Sequence, residues 1–141
     1  MNKQSVLEML KKYLSQIRYH SALILELVAI IAGSGYESDF RSLLTARLRM
    51  LSALGKDAIL LKEFELLRYT DDEELYSMHL NGSNFNIRVL YAFLPNHMPV
   101  LLCAFYKRDG KRKTDYTPYI PVALERLNQE RRDYENEPFR V

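Results

Sequence analysis

Two neighbouring stretches in the C-terminal half of the chain have apolar patterns that predict the centre of a β-sheet. From Phe85 to Leu94 the side chains alternate, so that one face of the predicted strand is apolar and the other contains Arg88. From Val100 to Phe105 every residue is apolar, which is typical of a strand covered on both faces. The segment Pro95–Pro99 has the composition of a tight connection. We therefore predict two antiparallel strands around which the rest of the chain is arranged.

A cluster of basic residues directly follows the second predicted strand. It consists of Lys107, Arg108, Lys111, Arg112 and Lys113, with Asp109 as the only acidic residue among them. A run of charges this dense is too costly to bury, so we expect the basic cluster on the surface. The net charge of the whole chain is only +2, and Asp71–Glu74 is an acidic run. The local field of the basic cluster therefore matters more than the net charge.

The composition is that of one globular domain. A chain of 141 residues with 48% hydrophobic and 27% charged residues can bury a core of its own. Cys103 is the only cysteine, which excludes an intramolecular disulfide and favours a reducing compartment. The most apolar window, Ala22–Ala32, contains Glu26 and is about half the length that a membrane span requires. We expect a cytoplasmic protein with no membrane segment and no signal peptide.

The N-terminal third of the chain has helical patterns. Ser5 and Glu8 match a capping box, and apolar residues at helical spacing follow them. The sequence leaves open whether this helix breaks near His20 or continues into the apolar window. A further amphipathic helix is predicted from about Tyr36 to Leu54, where the apolar residues share one face.

The remaining segments complete the predicted order of elements. Leu75–Leu80 alternates as a strand, whereas Ile59–Tyr69 fits either a short helix or a strand. A last helix is predicted from about Pro121 to Tyr134, since proline is tolerated in the first turn of a helix. We therefore predict an α+β fold in which N-terminal helices pack on a small antiparallel sheet, with a helix at the C-terminus.

The polar residues of this arrangement are suited to nucleic acid. His20, His79 and His97 are scattered along the chain, and no cysteine or carboxylate spacing points to a metal site. Neither a glycine-rich phosphate loop nor a nucleophile elbow is present in the sequence. Arg88, Tyr91 and His79, with the basic cluster, can hold a phosphate backbone and stack a base. We predict no metal and no cofactor.

The same groups can cleave RNA without a metal ion. RNA supplies its own nucleophile, the 2′-hydroxyl, so the protein must remove that proton, stabilise charge on the phosphate and protonate the leaving 5′-oxygen. Arg88 suits the second task, because it stays charged and can donate to two phosphate oxygens. We expect Arg88 to be open to solvent beside the basic cluster. The candidates for the proton transfers are His79, Lys107, Lys111, Lys113 and Tyr116.

Five short motifs follow one another along the second half of the chain. They are Leu75-Tyr76, Ile87-Arg88-Val89-Leu90-Tyr91, Phe105-Tyr106-Lys107-Arg108, Lys113-Thr114 and Ile120-Pro121-Val122-Ala123. As an ordered set they resemble the strand, loop and helix-start motifs of the RelE/ParE superfamily of bacterial toxins, in particular its HigB-like, phage-derived branch. Ser77 and His79 depart from that pattern, since the family usually has Glu and a basic residue there. The family's opening strand is not evident before the first helix.

The resemblance implies one toxin domain with a RelE-like, microbial-RNase-like fold. In this division residues 1–35 form a helical N-terminal extension, residues 36–134 form the RelE/HigB-like core, and residues 135–141 form a flexible tail. The implied activity is that of an mRNA interferase, an endoribonuclease that inhibits translation by cutting ribosome-bound message. The implied partner, besides mRNA and the ribosome, is a cognate helix-turn-helix antitoxin of a type II toxin-antitoxin system.

The resemblance also implies roles for single residues. The expected catalytic residues are Arg88, His79, Lys113 and Tyr116, and the expected RNA-contacting residues are Lys107, Arg108, Lys111, Arg112 and Tyr91. Two other functions stay open: a ParE-like toxin that binds a topoisomerase, and an inactive member of the superfamily that binds a partner. Structural interpretations stay open as well, with Tyr91 as a core residue and Arg88 as the partner of Glu65 or Asp72.

Overall fold

The computed structural model describes residues 1–69, 73–107 and 113–137. Within these residues the chain forms four α-helices and five β-strands, which confirms the prediction of an α+β fold. The helices are α1 (Lys3–Tyr13), α2 (Ser21–Ile31), α3 (Glu37–Leu54) and α4 (Ile120–Glu135). The strands are β1 (Arg18–Tyr19), β2 (Phe64–Tyr69), β3 (Glu74–Asn81), β4 (Asn86–Leu94) and β5 (Met98–Tyr106). Short 3₁₀ helices, Gly55–Leu60 and Pro95–His97, precede β2 and β5.

The five strands form one mixed sheet in the order β1-β5-β4-β3-β2. Strand β2 pairs antiparallel with β3, β3 with β4, and β4 with β5. Strands β3, β4 and β5 were predicted, whereas the sequence of β2 fitted a helix or a strand. At the other edge β1 runs parallel to β5, with Arg18 opposite Val100 and Tyr19 opposite Leu101. The prediction of a small antiparallel sheet therefore holds for β2 to β5 but not for β1. A strand of two residues is too short to show the alternation by which strands are recognised in a sequence.

The two faces of the sheet carry separate hydrophobic clusters. Helices α1, α2 and α3 pack on the face that includes Ile87, Val89 and Tyr91. Helix α4 packs on the opposite face, where Leu90 and Ala92 contribute to the second cluster. The predicted alternation along β4 is therefore confirmed, because successive side chains of a strand point to opposite faces.

Segment 1–35 is part of the main hydrophobic cluster. Val6 and Leu10 of α1 and Leu27 of α2 are fully buried, and they share this cluster with Phe40 of α3 and with the sheet. Among the described helices, none combines the length and the apolar character needed to cross a membrane. Residues 138–141 of the predicted tail lie outside the described residues.

The start of α1 and the break before α2 are set by polar side chains. The predicted capping box at Ser5 and Glu8 is wrong, because both residues lie inside α1. Asn2 caps this helix instead, and its side-chain oxygen accepts from the backbone N–H of Ser5 at 2.8 Å. The helical region breaks near His20, whose Nδ1 accepts a backbone N–H at the start of α2.

An ion pair completes the sheet edge where β1 ends. The backbone N–H of Ala104 donates to Glu26 Oε1 at 3.0 Å, and the carbonyl of Leu102 accepts from Arg126 Nη1 at 3.0 Å. Glu26 of α2 and Arg126 of α4 also pair with each other through two bonds, of 2.8 and 2.9 Å. Backbone groups of β5 that have no strand partner are thus bonded to side chains.

Candidate functional site

Strands β2, β3 and β4 place polar side chains together on the face of the sheet that α4 covers only in part. Glu65 lies opposite Ser77, and His79 lies opposite Arg88. Residues two apart on a strand share a face, so Ser77 and His79 point the same way as their cross-strand neighbours. Tyr116, from the segment before α4, covers them. We call Glu65, Ser77, His79, Arg88 and Tyr116 the polar cluster.

Glu65 is the hydrogen-bonding centre of the polar cluster. Its Oε1 accepts from the hydroxyl of Tyr116 at 2.6 Å and lies 2.8 Å from His79 Nε2. The Tyr116 oxygen also lies 2.9 Å from Ser77 Oγ and 3.3 Å from His79 Nε2. The bond to a carboxylate assigns the imidazole hydrogen to Nε2, since a carboxylate only accepts. The side chain of Glu65 is 43% exposed and that of His79 is 19% exposed, so Glu65 is the group that solvent reaches.

The surroundings of the polar cluster fix the protonation of two of its members. Burial, and next to it the charge of Arg88, lowers the pKa of His79 below its ordinary value of 6.5. His79 is therefore neutral at pH 7. Burial, together with the hydrogen bond to Glu65, raises the pKa of Tyr116 to about 12. Tyr116 therefore keeps its proton in the physiological pH range.

Arg88 is held by neutral acceptors. Its Nη1 donates to the amide oxygen of Asn81 at 2.7 Å and also to the side chain of Asn86, and its Nε donates to Thr114 Oγ1 at 3.2 Å. Among the described residues, no carboxylate forms an ion pair with Arg88. The predicted pair with Glu65 is thus not formed, although that carboxylate is near enough to favour the charged guanidinium. Asp72, the other predicted partner, lies outside the described residues.

The expectation that Arg88 is open to solvent is wrong. Only 5% of the residue is exposed, and Thr114 bonds to the guanidinium. Burial accordingly lowers the pKa of Arg88 from its ordinary value. A buried cation whose direct partners are neutral keeps a large unscreened field, which favours a negative charge at the polar cluster.

Two members of the basic cluster lie beside Arg88. The backbone N–H of Lys107 donates to the carbonyl of Asn86 at 2.8 Å, two residues from Arg88 along β4. Lys113 is exposed and adjoins Thr114. Among the described residues Lys113 makes no hydrogen bond to the polar cluster, so Arg88, His79 and Tyr116 come together without this predicted catalytic lysine. Arg108, Lys111 and Arg112, predicted to contact RNA, lie outside the described residues.

Tyr91 is a core residue. It is fully buried among the helices of the other face, and its ring stacks on Tyr76 with 5.2 Å between centroids. Its hydroxyl has no hydrogen-bond partner among the described residues. The prediction that Tyr91 contacts RNA is therefore wrong, because the sheet itself separates its ring from the polar cluster.

Glu65 and Ser77 were not predicted as site residues. Glu65 lies in a segment whose sequence fits a helix or a strand, and without a strand its neighbours across the sheet cannot be identified. Once β2 is paired with β3, the match of Phe64 with Met78 places Glu65 on the same face as His79. Ser77 carried a weak signal, since it is a small polar residue between the apolar Tyr76 and Met78.

The described part of the chain contains no cluster of metal-ligating side chains. Among the described residues, no group of three or more His, Cys, Asp and Glu side chains is placed to hold a metal ion.

Comparison of the chain with protein-family models, with curated proteins and with solved structures finds no match. A function for this chain therefore rests on the chemistry of the polar cluster and on the motifs of the sequence.

Proposed function

We propose that this chain is a metal-independent endoribonuclease, acting as the toxin of a type II toxin-antitoxin system of the RelE/ParE kind. The observation that carries the proposal is the polar cluster itself. A carboxylate, a neutral imidazole and a protonated phenol are hydrogen-bonded to one another beside a buried arginine. Cleavage through the 2′-hydroxyl needs a base, an acid and a positive charge at the phosphate, and the polar cluster contains each of them.

Glu65 is the proposed general base, because it is the exposed member of the cluster. Its carboxylate takes the proton of the 2′-hydroxyl, whose oxygen attacks the phosphorus atom. His79 holds the carboxylate in place through Nε2 at 2.8 Å. The bond between phosphorus and the 5′-oxygen breaks, and Tyr116 gives its proton to that oxygen. The proton then passes from Glu65 to Tyr116 along their 2.6 Å hydrogen bond, which restores both groups.

Arg88 stabilises the charge that develops on the phosphate oxygens. From its buried position it acts through its field, which is strong where water is excluded. Direct donation to the phosphate requires Thr114 and Tyr116 to shift, because the guanidinium lies beneath them. Lys107 and Lys113 then hold the neighbouring phosphates of the RNA.

The order of elements supports the proposal. The strand that opens the fold in this superfamily was not evident in the sequence, and β1, ahead of α2 and α3, is a candidate for it. Strands β3, β4 and β5 carry the family-like motifs, and α4 begins at Ile120, where the helix-start motif lies. A cognate helix-turn-helix antitoxin, encoded alongside, is the proposed protein partner, and a neighbouring gene of that kind would support the module.

The test is cleavage of ribosome-bound message by the purified chain. We expect cuts that leave a 2′,3′-cyclic phosphate and a 5′-hydroxyl, because the 2′-oxygen is the nucleophile. A message with a 2′-deoxy nucleotide at the mapped cleavage site is the matched control, and it should resist cutting at that position alone. Intact message after prolonged incubation, or equal cutting of the deoxy substrate, would contradict the mechanism.

The burial of Arg88 favours a second candidate, a partner-binding member of the superfamily that has no activity. If the cover over the guanidinium does not move, the phosphate cannot reach Arg88. Such a protein binds its antitoxin-like partner but leaves the message intact and growth unaffected. The cleavage assay separates the two candidates, since only the nuclease gives cut RNA.

A further inference from the structure

A cleft of about 380 Å³ lies beside the polar cluster, between the end of β5 and the segment before α4. Its lining consists of Phe105, Tyr106, Lys107, Lys113, Thr114, Asp115, Pro118 and Tyr119. Thr114 connects the two places, because it lines the cleft while its hydroxyl accepts from Arg88. The volume falls within the range of small-ligand sites.

One part of the cleft is aromatic. The rings of Phe105 and Tyr119 stack with 3.7 Å between centroids and 2° between planes. Phe105 is 6% exposed and meets Tyr116 of the polar cluster edge to face at 5.9 Å. Tyr119 is half-buried, and it lines the cleft while its ring stacks on that of Phe105. A flat ring supported from below in this way is a surface on which another flat ring can stack.

The remaining lining is charged. Lys107 and Lys113 supply positive charge, and Asp115 is the one acidic residue that the described lining contains. Asp115 Oδ1 accepts from the backbone N–H of Thr117 at 3.0 Å, which fixes the turn into α4. Aromatic surface and cations next to a buried arginine match a nucleotide, which has a flat base joined to a phosphate.

We infer that this cleft binds one unpaired base of single-stranded RNA, the base next to the phosphate at the polar cluster. The inference rests on the proposed function and makes Tyr119 the residue on which that base stacks. A base in a duplex is covered on both faces and cannot enter, so the cleft selects single-stranded RNA.

The first test uses the unaltered protein and an uncleavable probe, a 2′-O-methyl RNA hexamer. Six further hexamers each lack one base, and the affinity of each is measured by fluorescence anisotropy. We expect one position to weaken binding about 5- to 150-fold, the range for loss of one stacked base. Equal affinity for all six hexamers would overturn the inference.

The second test assigns the stacked base to Tyr119. Tyr119→Leu should weaken the binding of the intact hexamer by a similar factor. It should have little further effect on the binding of the hexamer that lacks the critical base. Tyr119→Phe keeps the ring and should restore binding. Tyr13→Leu, on α1 across the sheet, is the matched control for loss of a tyrosine. Equal loss by Tyr119→Leu on both hexamers would overturn the inference, and a thermal melt of each variant checks its fold.

Binding of an uncleavable RNA is independent of catalysis, so the two proposals fail separately. A base-dependent position in the hexamer scan without any cleavage of message would support the cleft and contradict the nuclease. Cleavage of message, combined with equal affinity for all six hexamers that lack a base, would support the nuclease and contradict base binding in the cleft.

Discussion

At the scale of single residues, the polar cluster combines groups whose ordinary chemistry is altered by their neighbours. His79 is kept neutral by burial and by Arg88, and Tyr116 is kept protonated by burial and by Glu65. Arg88 contributes charge, and its hydrogen-bond partners within the described part of the chain are neutral. Such departures from ordinary titration behaviour are common at functional sites and are costly elsewhere in a fold.

The titration of His79 gives a prediction for stability against pH. The unfolded chain binds a proton at this histidine near its ordinary pKa of about 6.5, whereas the folded chain, with its lowered pKa, binds it only at a lower pH. The unfolded state therefore holds more protons, and the free energy of unfolding should fall as the pH falls below 6.5. Among the charged neighbours of His79, Glu65 raises its pKa, whereas Arg88 and Arg47 lower it.

Urea unfolding at a series of pH values checks this prediction against His79→Gln. The variant lacks the titrating group, so its stability should fall less steeply between pH 6.5 and pH 5 than that of the unaltered protein. Parallel curves for the two proteins would show that His79 does not titrate differently in the folded state.

Arg88→Met separates a functional arginine from a structural one. A buried cation without a carboxylate partner adds little stability, and an apolar side chain of similar volume is often tolerated in its place. Asn81 is exposed and Asn86 half-buried, so water can satisfy the acceptors that are released. We expect the free energy of unfolding to change by less than about 1 kcal/mol while RNA cleavage and growth inhibition are lost.

Chemical unfolding and a growth assay measure these two effects. A loss of stability above about 3 kcal/mol, the size expected when a buried pair is broken, would mean that Arg88 holds the fold together. Growth inhibition that survives the substitution would remove Arg88 from the mechanism.

At the scale of elements, side chains of two helices complete the hydrogen bonding of β5 beyond its pairing with β1. Glu26 interrupts the most apolar segment of the chain, and its role is to bind the edge of β5 and Arg126. Glu26 was recognised in the sequence as a charge that argues against a membrane span. Its partner Arg126 lies 100 residues away along the chain and was not predictable. Local patterns do not contain contacts at such a distance.

Glu26→Ala is expected to loosen the edge of β5. The substitution leaves the N–H of Ala104 without its acceptor and Arg126 without its carboxylate. The expected cost is about 1.5 to 3 kcal/mol, the range for hydrogen bonds to charged groups. Hydrogen exchange at the amide of Ala104, measured with urea unfolding, localises the effect. Glu125→Ala, on the exposed side of α4, is the control, and equal losses for both variants would refute the role of Glu26.

At the scale of the whole molecule, the sequence predicted the elements with clear periodicity and missed those set by distant contacts. Strands β3, β4 and β5, helices α3 and α4 and the two faces of β4 followed from local patterns. The parallel strand β1 did not, because its two residues have no pattern of their own. The site was found in part for the same reason. Arg88 stood in a motif, and His79 and Tyr116 were recognised as titratable residues near the predicted sheet and the basic cluster. Glu65 became recognisable only when β2 was paired with β3.

The central claim is that the polar cluster cuts RNA with Glu65 as the base. The most direct measurement is the rate at which ribosome-bound message is cleaved by the unaltered protein, by Glu65→Gln and by the matched exposed variant Glu125→Gln. Glutamine keeps the size of the side chain but cannot take the proton, so Glu65→Gln should be slower by about 10²- to 10⁴-fold, with Glu125→Gln unchanged. Cleavage by Glu65→Gln at the rate of the unaltered protein would contradict the account.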